Sequence, residues 1–275
     1  TSLIAYPKFA PNFRRKYMSD WAVILGSSSG FGEATARELA SKGINIYGIH
    51  LDRRSAKERI DELITDLKSE GVQVVFKNMS ATDEDKRHRV IEELKSFGDI
   101  RVKILMHSLA FGALKPVIGE SPAQSLSQKQ IEMTLDVMAS SIIYWSQDLY
   151  YAGLLKKGSQ IFGMTSSGGH CQWKAYGAVS AAKAALESYS RQLAFEFSEF
   201  GIASNTLQAG VTDTAALRKI PENEKMIELA ESMNPGKRLT QTKDVAKIIG
   251  LLGLAEETWL TGNTIRVDGG EDISG

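Results

Sequence analysis

Short apolar runs alternate with longer amphipathic segments along most of the chain. The apolar runs predict strands at residues 21–26, 44–51, 72–76, 102–107, 159–164, 202–207 and 263–267. Between them, apolar residues recur every three or four positions, which is typical of helices with one buried face. Alternating strands and helices require parallel pairing through right-handed crossovers. The pattern therefore predicts one α/β domain with a Rossmann-type, doubly wound parallel sheet flanked by helices.

The pattern also predicts the limits of that domain. Longer helices are expected at about 125–155, 176–200 and 242–255. Residues 213–235 are polar and irregular, with one short helix expected inside them. Residues 1–20 contain prolines and lack a continuous apolar stretch, so we interpret them as an N-terminal arm and not as a signal peptide. The domain is then expected to cover residues 21–275.

Composition excludes several classes of function. The 275 residues contain 33 basic and 33 acidic side chains, so bulk charge does not favour nucleic-acid binding. No apolar run approaches the roughly 18 residues that cross a membrane. The single cysteine, Cys171, is typical of a reducing compartment, and we expect a cytoplasmic protein. One cysteine and four scattered histidines show no metal-ligand spacing, so no metal site is expected.

A glycine-rich loop, GSSSGFG, follows the first predicted strand. Glycines at this point permit a tight turn and a close approach of backbone to a pyrophosphate, while the following helix offers free N–H groups. Hydroxyl groups of the serines are additional donors for phosphate or ribose. The loop predicts a dinucleotide site, although a plain tight turn is the alternative. Its residues are Gly26, Ser27, Ser28, Ser29, Gly30, Phe31 and Gly32.

The second predicted strand ends in IHLDRRS, which bears on the choice of nucleotide. An acidic residue at this point often holds the ribose hydroxyls of NAD, and Asp52 is such a residue. Arg53 and Arg54 follow it, and two guanidinium groups suit a 2′-phosphate. We expect NADPH, with NADH as the alternative that Asp52 keeps open.

The segment AYGAVSAAKAAL places Tyr176 seven residues before Lys183. Seven residues are nearly two helical turns, so both side chains are expected to point from one helix face into one cleft. Such a pair suits a catalytic acid and a neighbouring group that adjusts the pKa of that acid. The alternative is an interfacial tyrosine and a solvated lysine on a helix packed against the sheet.

Over residues 21–270 the chain resembles the short-chain dehydrogenases/reductases. The resemblance rests on the glycine loop, on MHSLA after strand four, on the Tyr/Lys segment, on AGVTDT after strand six and on the final VDGG. Most members separate tyrosine and lysine by three residues, but that tyrosine position holds Val179 here. The resemblance implies an oxidoreductase of the Rossmann fold.

Within that family, the chain resembles the enoyl-acyl-carrier-protein reductase branch. Three features carry this resemblance: the six residues between Tyr176 and Lys183, the His107-Ser108 pair, and Asp136 on the following long helix. Ser166 stands where the commonest form of the branch has a second tyrosine, and this combination resembles the NADPH-dependent bacterial variant. The resemblance implies reduction of an enoyl thioester in fatty-acid biosynthesis, a substrate on acyl carrier protein, and a homotetramer with the helices at 125–155 and 176–200 at an interface.

The resemblance also implies a role for each site residue. Tyr176 would stabilise charge on the thioester oxygen, Lys183 would hold the nicotinamide ribose and lower the pKa of Tyr176, and Ser166 would donate to the carbonyl. Residues 213–235 would form a lid over the acyl chain. Further cofactor contacts are expected at Asn78, Ser108, Leu109, Gly210, Thr212 and Thr214, and substrate contacts at Phe111, Trp173 and Leu217 beside Tyr176.

Two other functions stay open at this point. Ser166 lies 17 residues before Lys183, where ordinary family members keep a catalytic serine, so a reductase of 3-oxoacyl thioesters or other ketones is the first alternative. A dinucleotide-binding protein without turnover is the second, and the intact Tyr176/Lys183 pair argues against it.

Overall fold

A computed structural model describes residues 18–256 and 258–274 of the chain. Seven strands form one sheet in the order β3-β2-β1-β4-β5-β6-β7, with every neighbouring pair parallel. The strands are β1 (Ser19–Leu25), β2 (Asn45–His50), β3 (Val74–Asn78), β4 (Ile100–His107), β5 (Gln160–Ser166), β6 (Ala203–Ala209) and β7 (Thr264–Val267). The predicted single α/β domain with a doubly wound sheet is confirmed. The order reverses between β1 and β4, where ligands of such sheets bind.

The described part of the chain contains eight α-helices, and most of them lie on the two faces of this sheet. They are α1 (Gly30–Ala40), α2 (Lys57–Ser69), α3 (Glu84–Ser96), α4 (Gln128–Leu135), α5 (Ser141–Tyr151), α6 (Gly177–Phe197), α7 (Asn223–Met233) and α8 (Thr242–Gly253). Apolar residues of α1, α2 and α8 pack on one face, and those of α3, α5 and α6 pack on the other. Both faces are buried, which explains why the central strands are nearly continuous apolar runs.

Several predicted boundaries differ from the structure. Strand β1 starts at Ser19, so the last two residues of the expected arm belong to the sheet, where Asp20 accepts hydrogen bonds from Arg101. A polar start of this kind is not visible in an apolar pattern. Residues 1–17 of the arm lie outside the described residues. Strand β3 runs from Val74 to Asn78, two residues later than expected, because an edge strand tolerates polar residues.

The expected long helix at 125–155 is divided into α4 and α5 by a π-helical turn over Asp136–Ser140. Helix α4 starts after Ser127, whose side chain and that of Gln130 form a capping box. At the break, the Asp136 carboxylate accepts a hydrogen bond from the Tyr144 hydroxyl at 2.9 Å. Single π-turns of this kind are rare and occur frequently at functional sites.

No described helix combines the length and the apolar character needed to cross a membrane.

Candidate active site

The loops after β1 and β4 lie against each other at the carboxyl edge of the sheet. Gly26 has φ +88°, and a Cβ atom there would lie 2.3 Å from the backbone oxygen of Ser108. The Ser108 amide in turn donates to the Leu25 carbonyl at 2.9 Å. A side chain at position 26 would push the two loops apart, so glycine is needed for this contact as well as for the turn. Leu109, next to Ser108, packs partly buried against the core.

The first turn of α1 forms a concave backbone surface. Gly32 allows the helix to start close to the loop, since a Cβ there would lie 2.0 Å from the Gly26 oxygen. Ser29 precedes the helix without capping it through its side chain, so the first N–H groups are available to an anion. Gly30 has φ +56°, and a Cβ atom there would be in ordinary contact with Thr214, at 3.9 Å. Phe31 packs partly buried against the core below. This cradle fits a pyrophosphate.

Two of the three serines of the loop have different roles from those predicted. Ser27 is fully buried, and its hydroxyl donates to the Ile49 carbonyl at 3.2 Å. The Ser28 hydroxyl donates to the Asp52 carboxylate at 2.7 Å. Only Ser29 of the three is exposed and free to meet a ligand. Two of the expected hydroxyl donors therefore fasten the loop to β2 instead.

The segment after β2 presents Asp52 inward and the two arginines outward. The Asp52 carboxylate lies 2.9 Å from His50 Nδ1, in addition to its contact with Ser28. Its backbone exchanges two hydrogen bonds with the Asn78 amide, at 2.9 and 3.1 Å. Asn78 therefore fixes the position of Asp52, and its amide is already engaged there. Arg53 and Arg54 are exposed to solvent, so this segment leaves room for either NADPH or NADH.

Tyr176 stands at the N-cap of α6, directly beside Ser166 at the end of β5. A Cβ atom on Gly168 would lie 2.5 Å from the Tyr176 ring, so the loop after β5 closes tightly over the phenol. Burial raises the pKa of Tyr176, and a hydrogen bond with the Ser166 hydroxyl opposes this rise only partly. The phenol is therefore a protonated donor at neutral pH. The expectation that Lys183 lowers this pKa is wrong, because burial dominates.

Lys183 is buried on the inner face of α6. Its ammonium group donates to the Met164 carbonyl of β5 at 2.7 Å. Burial lowers the pKa of Lys183 to about 8, and the negative charge of Glu187 one turn later opposes this shift. Glu187 is itself held by the Thr165 hydroxyl at 2.6 Å. Tyr176 is the N-cap residue of α6 and Lys183 lies within the helix, and both are close to the end of β5. The shared helix face expected from their spacing stays a prediction.

Position 179, where most resembling proteins would have their tyrosine, is part of the core. Val179 is 5% exposed, and its side chain would touch a Cβ atom on Gly112 at 2.8 Å. No phenol fits at this position without displacing the segment after β4. The candidate phenol of this site is therefore Tyr176 and not a residue at position 179.

His107 ends β4 on the same face of the sheet and is fully buried. Its Nε2 lies 2.8 Å from the Ser141 hydroxyl, which donates to the Val137 carbonyl in the π-helical turn. Because that hydroxyl proton is used, Nε2 carries the histidine proton and Nδ1 is an acceptor. Burial, and secondarily the charge of Lys183, lower the pKa of His107 to about 3, so the ring is neutral. The ring fixes the π-helical turn to β4.

The loop after β6 completes the edge of the sheet. Thr212 is buried, and its hydroxyl donates to the Gly210 carbonyl at 3.0 Å. Thr214 accepts from the Leu217 amide at 3.2 Å and lies above Gly30. The Val211 amide donates to the Glu271 carboxylate at 2.9 Å, so the C-terminal segment holds this loop in place. Glu271 was not predicted, because its partner is 60 residues away in the sequence.

The predicted substrate residues lie on the open side of this edge. The Trp173 indole donates to the Pro221 carbonyl at 3.1 Å, and Lys174 pairs with Glu222 at 3.3 Å. These contacts join the loop between Ser166 and Tyr176 to the predicted lid at 213–235. Leu217 is a buried residue of that segment, whereas Phe111 is 60% exposed. Phe111 therefore lies at the rim and not in a closed pocket.

A model of the family described as enoyl-(acyl carrier protein) reductase matches residues 26–271. The chain belongs to this family. The family is a branch of the short-chain dehydrogenases/reductases, so the protein is an NAD(P)-dependent oxidoreductase. The concave backbone at Gly26–Gly32 fits the pyrophosphate of such a dinucleotide.

Individual relatives are named for different reductase activities. A tropinone reductase homolog of Arabidopsis thaliana is 27% identical over 255 residues, which cover 92% of this chain and 91% of the relative. A 3-oxoacyl-[acyl-carrier-protein] reductase of Haemophilus influenzae is 27% identical over 257 residues, covering 92% and 98%. The chain has these short-chain reductases as relatives over nearly its whole length.

Solved structures show the same fold. The enoyl-[acyl-carrier-protein] reductase (NADH) of Aquifex aeolicus has a TM-score of 0.80 at 21% identity, covering 94% of this chain and 98% of that one. A short-chain dehydrogenase of Burkholderia cenocepacia, in complex with NADP, has a TM-score of 0.76 at 22% identity, covering 93% and 98%.

Proposed function

We propose that this short-chain reductase reduces the C2=C3 double bond of an enoyl thioester. The observation that carries the proposal is the place of the phenol. Val179 fills the usual tyrosine position with core packing, and Tyr176 stands before the first turn of α6. Three residues of helix correspond to about 4.5 Å along the axis. The phenol is thus set back from the usual tyrosine position, residue 179, by most of a helical turn.

This displacement suits a conjugated substrate. In a ketone, the carbon that accepts hydride carries the oxygen that the acid must reach. In an enoyl thioester, the accepting carbon is C3, and the oxygen lies two bonds farther along the molecule. A phenol placed farther from the hydride donor matches that longer separation. The nicotinamide, when bound, supplies the hydride.

The residues of the chain supply the charge stabilisation. Tyr176 is a protonated phenol, so it donates a hydrogen bond to an oxygen on which negative charge develops. Ser166 is its immediate partner and orients the hydroxyl. Lys183 holds a positive charge beneath the site for a substantial part of the molecules at neutral pH, since its pKa is about 8. If the Lys183 ammonium group donated to the ribose hydroxyls of a bound cofactor instead of the Met164 carbonyl, it would orient that cofactor.

NADPH is the proposed cofactor. Arg53 and Arg54 are exposed at the end of β2, where guanidinium groups suit a 2′-phosphate. Asp52 is tied to Ser28 and His50, which moderates its repulsion of a phosphate. NADH is the alternative, and it would use the Asp52 carboxylate for the ribose hydroxyls.

The proposal includes an acyl carrier and an assembly. The exposed loop with Phe111 and the lid at 213–235 suit an acyl chain delivered on acyl carrier protein for fatty-acid synthesis in the cytoplasm. A homotetramer is supported by exposed aromatic side chains on the two predicted interface helices, since Tyr151 of α5 is 82% exposed and Phe195 of α6 is 79% exposed.

A reductase of 3-oxoacyl thioesters or other ketones is the second candidate. The contact between Ser166 and Tyr176 favours it, because a hydroxyl beside a phenol also suits a ketone oxygen held near the hydride donor. The name of the Haemophilus influenzae relative points in the same direction. The position of Val179 argues for the enoyl substrate.

The test compares crotonyl and acetoacetyl thioesters as substrates for NADPH oxidation, with NADPH binding measured separately by fluorescence. We expect turnover of the crotonyl thioester, a loss on the order of 10²-fold or more in kcat for Tyr176→Phe, and unchanged NADPH binding. Tyr151→Phe, an exposed tyrosine, is the matched control and keeps full activity. Turnover of the acetoacetyl thioester alone would establish the second candidate. Binding of NADPH without turnover of either substrate would contradict both and favour a non-catalytic dinucleotide-binding protein.

A further inference from the structure

Three side chains with metal-ligating atoms meet outside the site described above. His170 and Cys171 lie in the loop after β5, and Asp272 lies in the C-terminal turn Glu271–Ile273. One ligand atom from each of the three is within 4.8 Å of the others. His170 Nε2 is 2.9 Å from Asp272 Oδ1. The sequence shows no metal spacing because about a hundred residues separate the two segments.

The carboxylate of this cluster is held in place before any ligand arrives. Asp272 is 6% exposed in its side chain, and Arg266 pairs with its second oxygen, Oδ2, at 2.9 Å. Its backbone amide donates to the Asp268 carboxylate at 3.0 Å. The oxygen Oδ1, which faces His170, is therefore a fixed ligand atom, while Oδ2 stays neutralised by Arg266.

The other two ligands are accessible from solvent. The His170 side chain is 49% exposed, and Cys171 is an exposed free thiol. Both are fixed by their backbone, because the amides of His170 and Cys171 donate to the Ser167 carbonyl at 3.0 and 2.7 Å. A cation can therefore approach from outside and find three donors already gathered.

We propose that His170, Cys171 and Asp272 form a binding site for Zn²⁺ or a chemically similar divalent transition-metal ion. Imidazole nitrogen, thiolate sulfur and carboxylate oxygen are the ligand types of zinc, and water completes a tetrahedral set. On binding, the thiol proton of Cys171 leaves to solvent and a metal–sulfur bond forms. The ion takes the place of the hydrogen bond between His170 and Asp272, and no electron is transferred.

Metal binding at this point ties the active-site loop to the C-terminal segment. The loop carrying His170 and Cys171 begins after Ser166 and ends at Tyr176, and Trp173 within it contacts the lid. Asp272 follows Glu271, which holds the loop after β6. A bound ion thus restrains both segments together, and we expect it to slow turnover reversibly.

The binding test uses Co²⁺ as a spectroscopic probe of the full-length, metal-free protein. We expect saturable binding of one ion per chain, with the intense near-ultraviolet charge-transfer band of a cobalt–thiolate bond. Cys171→Ser should abolish the band and weaken binding at least about tenfold, the loss that even an outer-shell partner can cause. His170→Gln should weaken binding similarly, and Zn²⁺ should displace the cobalt.

The controls separate this site from other binding. His88→Gln removes an exposed histidine of α3, outside the proposed metal site, and should leave the cobalt titration unchanged. His170 and Cys171 are exposed, so their variants are expected to fold, and circular dichroism checks this. No charge-transfer band, or equal affinity in Cys171→Ser, would overturn the proposal. The readout does not need enzyme activity, so it stands or fails separately from the proposed enoyl reductase.

Discussion

The backbone oxygen of Ser108 lies 2.3 Å from the point where a Cβ atom on Gly26 would stand. The ends of β1 and β4 therefore meet at the switch point of the sheet only because residue 26 has no side chain. The cradle for the dinucleotide and the loop that leads to the substrate side are thus fixed by one contact.

Gly26→Ala is expected to destabilise the protein more than Gly43→Ala. Both glycines have positive φ, at +88° and +81°, so both substitutions carry a strain of about 1–2 kcal/mol. Position 43 has no atom within 4 Å of an added Cβ, whereas position 26 meets the Ser108 backbone. Urea unfolding should show the larger loss for Gly26→Ala, together with weaker NADPH binding. Equal losses would show that the two loops adjust freely.

Lys183→Met is expected to abolish turnover and to raise stability near neutral pH. The folded pKa is about 8, below the ordinary value of 10.5, so the unfolded chain holds the proton more tightly between these values. Stability therefore rises with pH between about 8 and 10.5. The cost of burying the charged ammonium group is felt in full below about pH 8. Removing the charge should raise the free energy of unfolding by about 3 kcal/mol. Loss of the hydrogen bond to Met164 should lower it by about 1 kcal/mol.

Urea unfolding of the parent and Lys183→Met at about pH 7 and about pH 10 tests this linkage. The difference in unfolding free energy should shrink at the higher pH. Lys68→Met, at an exposed position of α2, should show no such pH dependence. A constant difference for Lys183→Met would mean that the ammonium group is better solvated than its burial indicates.

The paired substitution Arg53→Ala with Arg54→Ala is expected to weaken NADPH binding on the order of tenfold per guanidinium lost, because charge-assisted hydrogen bonds contribute about 1.5–3 kcal/mol. NADH binding should change little, since it has no 2′-phosphate. Dissociation constants of both nucleotides, measured by fluorescence, give the comparison. Arg89→Ala, also exposed, is the control. Equal weakening of both nucleotides would contradict the proposed preference.

Phe195→Asp is expected to break the proposed tetramer into smaller species. Phe195 is 79% exposed on α6, and a charge there would be buried without a partner at a subunit interface. Sedimentation velocity of the parent and the variant measures the assembly. Phe195→Leu keeps apolar area and should keep the tetramer. A parent that sediments as a monomer would contradict the proposed assembly directly.

Features that depend on local sequence were predictable. The glycine loop, the helix after it and the order of strands and helices follow from turn chemistry and periodicity, and they are confirmed. The roles of Ser27 and Ser28 were not predictable, because their partners Ile49 and Asp52 are 22 and 24 residues away. The π-helical turn and the meeting of His170 with Asp272 depend on tertiary packing, which no local pattern records.

The hydrogen bond from Trp173 to the Pro221 carbonyl also provides an intrinsic optical reporter. Trp21 and Trp145 are buried in the core, and Trp259 is fully exposed, so their emission should be insensitive to motion at the lid. The indole of Trp173 alone among these four loses a hydrogen bond if the segment at Pro221 swings away. Opening of the substrate entrance can therefore be timed by tryptophan fluorescence without attaching any label.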